Sequence, residues 1–415
     1  MPGPGTGSGE RTGSGGKGRG KRSFGAFHLL NRQYISSFAA LLRVAFTAFC
    51  PEGAMLRSLF PVLVAGLGAG QLVACAPPSP STPAADLDGG PGAAGARAAL
   101  QDWQAEAEHP CEALVVARGE APLWVWGRDA TRYNTHSVRK SLLSALFGIA
   151  IERGLIDPQA SLADLGIDES ATPLTPTELS ATVLDLLTSQ SGIYLQAGGE
   201  TQGQRDGRPG RGSHAPGSFY FYNNWDFNTL GAIFERETGL GIGEAFDSWI
   251  AGPLGMQDFR PQDVYYEANS ESDYPQYIIR LSARDLARFG VLYLQDGVWA
   301  GEQVVPQAWV RESLQPLADM RGEQGAAAVD AFGYSWWIDS DDGLAWSLGW
   351  GGQNLLVDRA AGLVTVSRNN TGRSKLEYGW LIATGHPDRG ANFCHPQINL
   401  DMTRTARTAL DAAED

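Results

Sequence analysis

The chain has 415 residues, enough for one large domain or two, and an apolar content of 43% that is ordinary for a globular protein. Its formal net charge of −14 is uneven, because residues 1–54 carry seven basic and two acidic side chains whereas residues 76–415 carry 24 basic and 44 acidic ones. So acidic a body argues against nucleic-acid binding and for a well-solvated surface.

The first 75 residues divide into a basic extension and an export signal. Residues 1–54 open with a run of Gly, Ser, Arg and Lys that contains almost nothing apolar, which predicts a disordered basic extension. Residues 55–75 then have the pattern of a signal peptide: Arg57, an apolar run too short for a comfortable membrane span, and Cys75. We interpret Met55 as the true start of the protein, with Met1 as the alternative.

The end of this stretch, Leu72-Val73-Ala74-Cys75, resembles the lipobox of bacterial lipoproteins. The resemblance implies that Cys75 is acylated, that the lipid anchors the chain to a membrane, and that the protein lies in the cell envelope of a bacterium, on the periplasmic or extracytoplasmic face. Residues 76–96 follow as a Pro- and Gly-rich tether. The alternative interpretation is a buried apolar segment of a folded domain.

Residues 97–415 form the folded body. A helix is predicted at 97–108, and strand-like runs at 113–117 and 123–126 predict a hairpin. The later elements are, in chain order, helices at 136–154, 178–189, 225–237, 282–297 and from Pro306 onward, strands at 333–338, 346–349, 354–358 and 363–368, and a last helix at 399–412. A Gly-, Arg- and Ser-rich loop at 196–218 is of the kind that borders a site.

Strands therefore open and close the body, with helices between them. This order predicts an α/β (α+β) fold with one antiparallel sheet built from both chain ends and flanked by helices, plus an all-helical insertion. The α/β lobe would comprise residues 97–135 and 330–415, and the helical lobe residues 136–329. A cleft between the two lobes is the natural place for a site.

The helix at 136–154 carries the first candidate site. Ser137 and Lys140 are three residues apart, which on a helix places both side chains on one face. The residues behind them are apolar nearly all round, so the helix belongs in a core, and burial there lowers a lysine's pKa by disfavouring the ammonium form. A neutral lysine can take the proton of a serine hydroxyl and make it a nucleophile. Lys140 is one of four lysines in a chain that otherwise uses arginine, which does not deprotonate in proteins.

The cysteines and histidines predict a disulfide and no metal. The six histidines are scattered, and no cluster with cysteine has metal-ligand spacing, so we expect neither a metal site nor another cofactor. If Cys75 is acylated, Cys111 and Cys394 remain in the body, and an exported compartment permits a disulfide between them. They lie near the two ends of a body whose ends are predicted to meet in one sheet.

Tyr222 and Asn224 stand just before the helix at 225–237. A tyrosine at a loop-to-helix junction can project into a cleft and pass on a proton, whereas Asn224 at this place can also simply cap the helix. Tyr220 is the competing tyrosine, and the aromatic cluster around both of them is equally typical of packing.

The segment WSLGWGGQ at residues 346–353 places glycines at 349, 351 and 352 on or just after a strand. Glycine leaves the strand backbone uncovered, so an N–H can face an oxyanion, with the amide of Ser137 as a second donor. A bulge or close strand packing explains the same glycines equally well.

Together these motifs resemble one family. Ser137-x-x-Lys140, Tyr222-x-Asn224 and Ser347-Leu348-Gly349 follow each other in the order of the serine β-lactamase and penicillin-binding-protein superfamily. The resemblance covers about residues 110–410 and includes the connecting phrases LLTSQSGI, PLGMQD, SARDLARFGVLYLQDG, GYSWWI and GWGGQ. These phrases are most similar to the branch that holds 6-aminohexanoate-dimer hydrolases and family VIII carboxylesterases.

The resemblance implies a β-lactamase/transpeptidase-like fold and a mechanism through an acyl-enzyme. In it Ser137 is the acylated nucleophile, Lys140 is the general base, and Tyr222 passes the proton to the leaving group. The implied substrate-binding and oxyanion residues are Asn224, Ser347, Gly349 and Trp350, with the amides of Ser137 and Trp350 as the two oxyanion donors.

Ser347 departs from the family pattern, whose third motif usually begins with a lysine or histidine that holds a substrate carboxylate. Without that cation, a charged hydrogen bond worth about 1.5–3 kcal/mol is lost. An alternative alignment places Trp350-Gly351-Gly352 in the motif and also lacks the lysine. An arginine of the 196–218 loop (Arg205, Arg208 or Arg211) is the candidate that could replace it.

The sequence therefore predicts a lipid-anchored, monomeric serine hydrolase that cleaves small-molecule ester or amide bonds. A β-lactamase or D,D-peptidase is the second hypothesis. The third, from another class, is a non-catalytic, lipid-tethered binding protein on the same fold, and the intact Ser137, Lys140 and Tyr222 argue against it. No sequence feature names the substrate.

Overall fold

The computed structural model describes residues 92–320, 329–372 and 394–413. Its strands are β1 (Ala113–Ala117), β2 (Pro122–Gly127), β3 (Tyr133–Asn134), β4 (Val264–Glu267), β5 (Gln276–Leu281), β6 (Val298–Trp299), β7 (Glu302–Gln303), β8 (Ala318–Asp319), β9 (Ala331–Phe332), β10 (Trp337–Asp339), β11 (Leu344–Gly349), β12 (Gln353–Asp358) and β13 (Leu363–Arg368). In this part of the chain, eight of them form an antiparallel sheet in the order β2-β1-β13-β12-β11-β10-β9-β8. This sheet, built from both ends of the body, confirms the predicted architecture.

The helices of the same residues are α1 (Ala93–Glu106), α2 (Val138–Glu152), α3 (Val183–Leu187), α4 (Gln202–Gly207), α5 (Asn224–Thr238), α6 (Ile242–Phe246), α7 (Ala283–Leu294), α8 (Gln307–Ser313) and α9 (Gln397–Asp411). None of these described helices is long and apolar enough to cross a membrane. The predictions for residues 1–75, including the signal peptide and the acylated Cys75, lie outside the described residues.

Strand β1 shows how the sheet is covered on both faces, because all five of its residues are buried. Side chains alternate between the faces of a strand. Ala113, Val115 and Ala117 belong to the core formed with α2 and α7, whereas Leu114 and Val116 belong to the core formed with α1 and α9. Because both faces of β1 are buried, its sequence ALVVA is apolar throughout and does not alternate with polar residues.

Helix α2, which begins directly after Ser137 and contains Lys140, has 13 of its 15 residues buried. It packs against α5, α8, β11 and β12. At Gly148 the approach of α8 is so close that an added Cβ would lie 2.3 Å from the ring of Trp309. A helix held on all sides fixes the side chains of its first turn relative to the sheet and to α5.

Helix ends follow the signals in the sequence. Gly239 ends α5 with φ 70°, and Gly154 follows α2 with φ 65°, a left-handed conformation that costs glycine no steric clash. At the start of α7, the Ser282 side chain accepts a hydrogen bond from the Asp285 amide. These residues fix where α2 and α5 end and where α7 begins.

Two features of the fold were not predicted. A second sheet, β3-β5-β4, holds Tyr133–Asn134 directly before the α2 segment. Its strands are short and β4 is only partly buried, so the sequence pattern is weak. Helix α7 lies in the segment predicted as the helical lobe, yet it packs against β1, β12 and β13, and Gly290 lets it approach Val364 closely.

Cys111 and Cys394 form a disulfide, with their Cα atoms 5.0 Å apart. The bond joins the segment just before β1 to the segment just before α9. Cys394 also packs on Gly352, where an added Cβ would lie 2.6 Å from the Cys394 amide nitrogen. The Cys394 carbonyl accepts a hydrogen bond of 3.0 Å from the Asn354 side chain. The disulfide therefore supports the turn between β11 and β12.

Replacing both cysteines, as Cys111→Ala with Cys394→Ala, is expected to lower the free energy of unfolding by about 2–5 kcal/mol. The bond joins residues that are 283 positions apart in sequence, so its loss frees a long loop in the unfolded chain. Equilibrium denaturant unfolding measures the difference, and wild-type protein with a reductant should behave like the variant. Equal unfolding midpoints for oxidised wild type and variant would contradict this expectation.

Candidate active site

Ser137 lies at the N-terminal end of α2, and Lys140 faces it from one turn further on. Lys140 Nζ is 3.1 Å from Ser137 Oγ, 2.5 Å from the Tyr222 hydroxyl and 2.9 Å from Asn224 Oδ1. The loop before α5 supplies Tyr222, and Asn224 is the first residue of α5. Four of the residues that the sequence singled out thus meet around one amine.

Lys140 is buried, and its hydrogen-bond partners among the described residues include no carboxylate. Burial, and after it the charge of the neighbouring Arg139, holds the pKa of Lys140 well below its usual value. A neutral amine has two N–H donors and one lone pair, which suits three partners. Because the Asn224 oxygen can only accept, one of the two hydroxyls donates to Lys140. This geometry leaves Lys140 able to accept the Ser137 proton.

Burial raises the pKa of Tyr222 well above its usual value, an effect only partly opposed by its hydrogen bond with Ser137. The Tyr222 ring stacks on Trp337, with the centroids 4.9 Å apart. At neutral pH this side chain is therefore a neutral phenol, which can hand over a proton but is not itself the base. Tyr220, the competing candidate, packs against Phe332 with a centroid distance of 5.4 Å.

The two asparagines at the start of α5 have different roles, and these settle which one caps the helix. The helix cap is Asn223, whose Oδ1 accepts a hydrogen bond of 3.3 Å from the Trp225 amide. Asn224 therefore does not cap the helix, and its Oδ1 accepts from Lys140. The backbone amide of Asn223 in turn donates to Ser189 Oγ at 3.0 Å, which fixes the loop that carries Tyr222.

His136, which was not predicted as a site residue, has a left-handed backbone conformation with φ 46° directly before Ser137. Its amide donates to Asn134 Oδ1 at 2.8 Å, and its Nε2 lies 2.7 Å from Thr371 Oγ1. Positive φ is uncommon for residues with a Cβ and persists only where the surroundings impose it. Asn134 two residues earlier was the signal, because an Asn side chain often turns the backbone in this way.

The strand end of β11 lies against the segment before Ser137. An added Cβ at Gly349 would lie 2.4 Å from the Thr135 carbonyl oxygen, so close packing explains this glycine. The next residue, Trp350, is 41% exposed and meets the His136 ring edge-on, with the centroids 5.3 Å apart. In the described part of the chain, the Ser137 amide donates to no acceptor, and it lies at the positive end of α2.

Arg368, which was also not predicted, links β12 to β3 through its side chain. It is fully buried, and burial lowers its pKa to about 9. Its Nε donates to Gln353 Oε1 at 2.8 Å, and its Nη2 donates to the Tyr133 carbonyl at 3.1 Å. The start of β12 is thus tied to the strand that precedes Ser137. The sequence pattern of β13 does not indicate that the arginine at its end is buried and connects two strands.

The comparisons with known proteins agree with this geometry. A family model described as Beta-lactamase matches residues 96–375. The chain belongs to the beta-lactamase family. It is 28% identical to a 6-aminohexanoate-dimer hydrolase of Paenarthrobacter ureafaciens over 290 residues, which cover 62% of this chain and 72% of that relative. It also resembles the structure of simvastatin synthase (LovD) from Aspergillus terreus, with 17% identity, a TM-score of 0.51, and coverage of 78% of this chain and 99% of that one.

Membership of the beta-lactamase family confirms the predicted family, the fold class and the enzyme class, a serine hydrolase. The simvastatin synthase structure shows a shared fold and, at its low identity, no more than that.

Ser347, where the beta-lactamase family usually carries a lysine or histidine, does not face an open site. Its side chain is 1% exposed, and its Oγ lies 2.7 Å from Ser141 Oγ on α2. Ser141 in turn donates to the Ser335 carbonyl at 2.7 Å. The Ser347 hydroxyl thus contacts Ser141, the residue that follows Lys140 on α2.

The three arginines that could replace the missing cation are all engaged elsewhere. Arg205 pairs with Glu271 at 2.9 Å, and Arg208 pairs with Glu200. Arg211 pairs with Glu178 at 2.7 Å. These ion pairs neutralise the positive charge of the 196–218 loop, part of which folds into α4.

Across the residues that the structure describes, no group of three or more His, Cys, Asp or Glu side chains is arranged to hold a metal ion.

Proposed function

We propose that this protein hydrolyses uncharged esters or small amides through an acyl-enzyme on Ser137, with Lys140 as general base and Tyr222 as proton relay. The observation that carries the proposal is the set of contacts of one buried amine: Lys140 Nζ touches Ser137 Oγ, the Tyr222 hydroxyl and the Asn224 oxygen, with no carboxylate among them. A carboxylate there would favour the ammonium form and remove the base.

In the acylation step, Ser137 Oγ attacks the substrate carbonyl carbon while its proton moves to Lys140 Nζ. The new C–O bond produces a tetrahedral oxyanion. Tyr222 then donates its hydroxyl proton to the leaving alcohol or amine and regains one from Lys140, 2.5 Å away. The bond to the leaving group breaks, and Lys140 is neutral again.

In the deacylation step, a water molecule replaces the alcohol and the same groups act in reverse. Lys140, directly or through Tyr222, accepts a proton from the water as it attacks the acyl carbon. Ser137 Oγ leaves and takes the proton back. Because every proton taken up is returned, the enzyme ends each cycle in its starting state.

The amide of Ser137 is the first donor that we assign to the developing oxyanion. It has no acceptor in the described residues and lies at the N-terminal end of α2, where the helix dipole favours negative charge. We assign the second donor to the amide of Trp350, which follows the point where Gly349 meets Thr135. Both amides are set by the backbone before any charge develops.

The charges around the site favour a neutral substrate. Ser347 is a buried, uncharged side chain in contact with Ser141, and the arginines of the 196–218 loop are all paired with glutamates. The relative named 6-aminohexanoate-dimer hydrolase supports a small-molecule substrate. Trp350, 41% exposed, and the partly buried Trp337 offer apolar surface for an uncharged group.

Short uncharged acyl esters are therefore expected to be hydrolysed with a kcat/KM about 10–100 times that of matched carboxylate-bearing esters. The acidic body repels anions at long range, and the three arginines of the 196–218 loop, which could hold them at contact, are already paired with glutamates. Measuring both substrates at low and high salt separates the two effects, since salt screens only the long-range one. A preference for the carboxylate substrate would favour a β-lactamase or D,D-peptidase instead.

We also propose that Cys75 is acylated and anchors a monomeric enzyme to the cell envelope. The support is the sequence LVAC at residues 72–75 and the tether after it. Expression of the full chain in a bacterium, followed by fractionation and mass spectrometry of the N-terminal peptide, tests this. Recovery of Cys75→Ala in the membrane fraction to the same extent as wild type would count against the anchor.

Two covalent probes test the proposed function. A fluorophosphonate reacts with activated serines in general, whereas a fluorescent penicillin reports β-lactam recognition. Mass spectrometry should find the fluorophosphonate on Ser137 and little or no penicillin label. Labelling of Ser137 by penicillin would favour the β-lactamase hypothesis, and failure of both probes would favour a non-catalytic binding protein.

A further inference from the structure

Arg139 occupies an unusual position for a permanent charge. It stands between Ser137 and Lys140 in the chain, and its side chain is only 1% exposed. Its Nη2 donates to Asn228 Oδ1 at 2.9 Å, and its guanidinium lies over the ring of Tyr277, 4.1 Å from the centroid. Its Nη1 has no hydrogen-bond partner in the described residues. The contacts that hold this cation are thus neutral groups.

A buried cation without a carboxylate is costly, so its retention calls for an explanation. Neutral dipoles such as the Asn228 amide and the Tyr277 ring orient toward the charge but do not cancel it. The field of Arg139 therefore extends into the protein, where screening is weak. The next residue along the chain is Lys140, and both are buried at the start of α2.

We propose that Arg139 acts through Lys140, its buried and uncompensated charge keeping the Lys140 amine in the unprotonated, proton-accepting form. This inference rests on the proposed function and deepens it. Protonating Lys140 would place a second cation beside the first in a medium of low dielectric constant. Arginine suits this positioning role because it stays charged when buried, whereas a lysine there would lose its own proton.

In the described part of the chain, the side chains that contact the Lys140 amine are neutral. They are the hydroxyls of Ser137 and Tyr222, the amide of Asn224, and the ring faces of Tyr222 and Phe227, 4.2 and 4.5 Å from Nζ. On α5 the acid next to these residues is Asp226, which bonds Ser191 and Asn223 instead, and burial raises the pKa of Asp226 well above its usual value.

On the N-terminal side, His136 contacts Thr371 and Trp350. Among the described groups that contact or adjoin Lys140, Arg139 is thus the one that carries a permanent charge. It is also the second cause, after burial, that lowers the pKa of Lys140.

The test is the pH dependence of covalent labelling of Ser137 by a fluorophosphonate in the full-length protein. In this reaction the Ser137 Oγ–phosphorus bond forms, the phosphorus–fluorine bond breaks, fluoride leaves, and the Ser137 proton passes to Lys140. The rate constant should fall at low pH, where Lys140 becomes protonated. Because the readout is labelling, it needs no knowledge of the natural substrate.

Two variants remove the net charge at Arg139 in different ways. Arg139→Met deletes it, and Asn228→Asp places a carboxylate on the guanidinium with almost no change in shape. Both should move the midpoint of the acid limb upward by about one pH unit, since Lys140 then protonates more readily. Asn228→Ala is the matched control: it removes the same hydrogen bond but leaves Arg139 charged, so its midpoint should not rise.

The outcomes are distinct. If wild type labels on Ser137 but the acid limb stays in place in both charge-removing variants, Arg139 has only a structural role and the inference is wrong. If Arg139→Met does not fold, the comparison of Asn228→Asp with Asn228→Ala decides alone. Loss of the acid limb in His136→Asn would assign the titration to His136 and overturn the inference. Absence of Ser137 labelling in wild type at every pH would overturn the proposed function itself.

Discussion

Lys140→Arg is expected to lower kcat by a factor of about 10² to 10⁴ while the protein stays folded. Arginine keeps a cation at this position but does not give up its proton, so it cannot accept the proton of Ser137. The wild-type site suits the opposite state, because burial and Arg139 hold the pKa of Lys140 well below its usual value. Steady-state hydrolysis of a neutral ester, with thermal unfolding alongside it, measures both parts of the expectation.

Ser144→Ala is the matched control for this variant. Ser144 is buried on the same helix, and its hydroxyl has no hydrogen-bond partner among the residues that the structure describes. Removing that hydroxyl tests whether any change in α2 disturbs the reaction, and we expect nearly wild-type kcat. If Lys140→Arg kept a tenth or more of wild-type kcat, Lys140 would lose the role of base.

Tyr222→Phe is expected to have the second-largest effect, and its size should depend on the leaving group. Phenylalanine keeps the stacking on Trp337 but removes the hydroxyl 2.5 Å from Lys140. An alkoxide or amide leaving group needs a proton as its bond breaks, whereas a nitrophenolate leaves without one. The loss in kcat/KM should therefore be about 10²-fold or more for an alkyl ester and clearly smaller for a nitrophenyl ester.

The neighbouring Tyr220 supplies the control for this prediction. It is buried and packs against Phe332, and the tyrosine hydroxyl at Lys140 is that of Tyr222, so Tyr220→Phe should leave both rates nearly unchanged. Equal losses in Tyr222→Phe for the two kinds of ester would mean that Tyr222 helps to bind or orient groups and does not donate the proton.

Much of the fold is readable from the sequence because local patterns and burial agree there. The apolar run of β1 and the nearly all-apolar α2 are buried on every side, and the structure places both in the core. The second sheet escaped prediction because β3 has only two residues and β4 is partly exposed, so neither shows a clear period.

The site residues that were predicted differ from those that were missed in the same way, because local geometry places the first and tertiary contacts place the second. Ser137 and Lys140 lie one turn apart on a single helix, and their proximity follows from local geometry. Ser347 is different, because its contact with Ser141 depends on how β11 packs against α2, which no local pattern fixes. His136 and Arg368 act through tertiary contacts with Thr371 and Gln353, distant in the chain, and were missed for that reason.

The most direct test of the account is to trap the covalent intermediate. Purified protein is mixed with a neutral nitrophenyl ester, quenched in acid within milliseconds to seconds, and digested for mass spectrometry. We expect the acyl group to appear on the peptide containing Ser137 and to disappear at the rate of turnover. We expect Ser137→Ala neither to carry the acyl group nor to hydrolyse the ester. An acyl group on another residue, or turnover by Ser137→Ala at a rate near that of wild type, would contradict it.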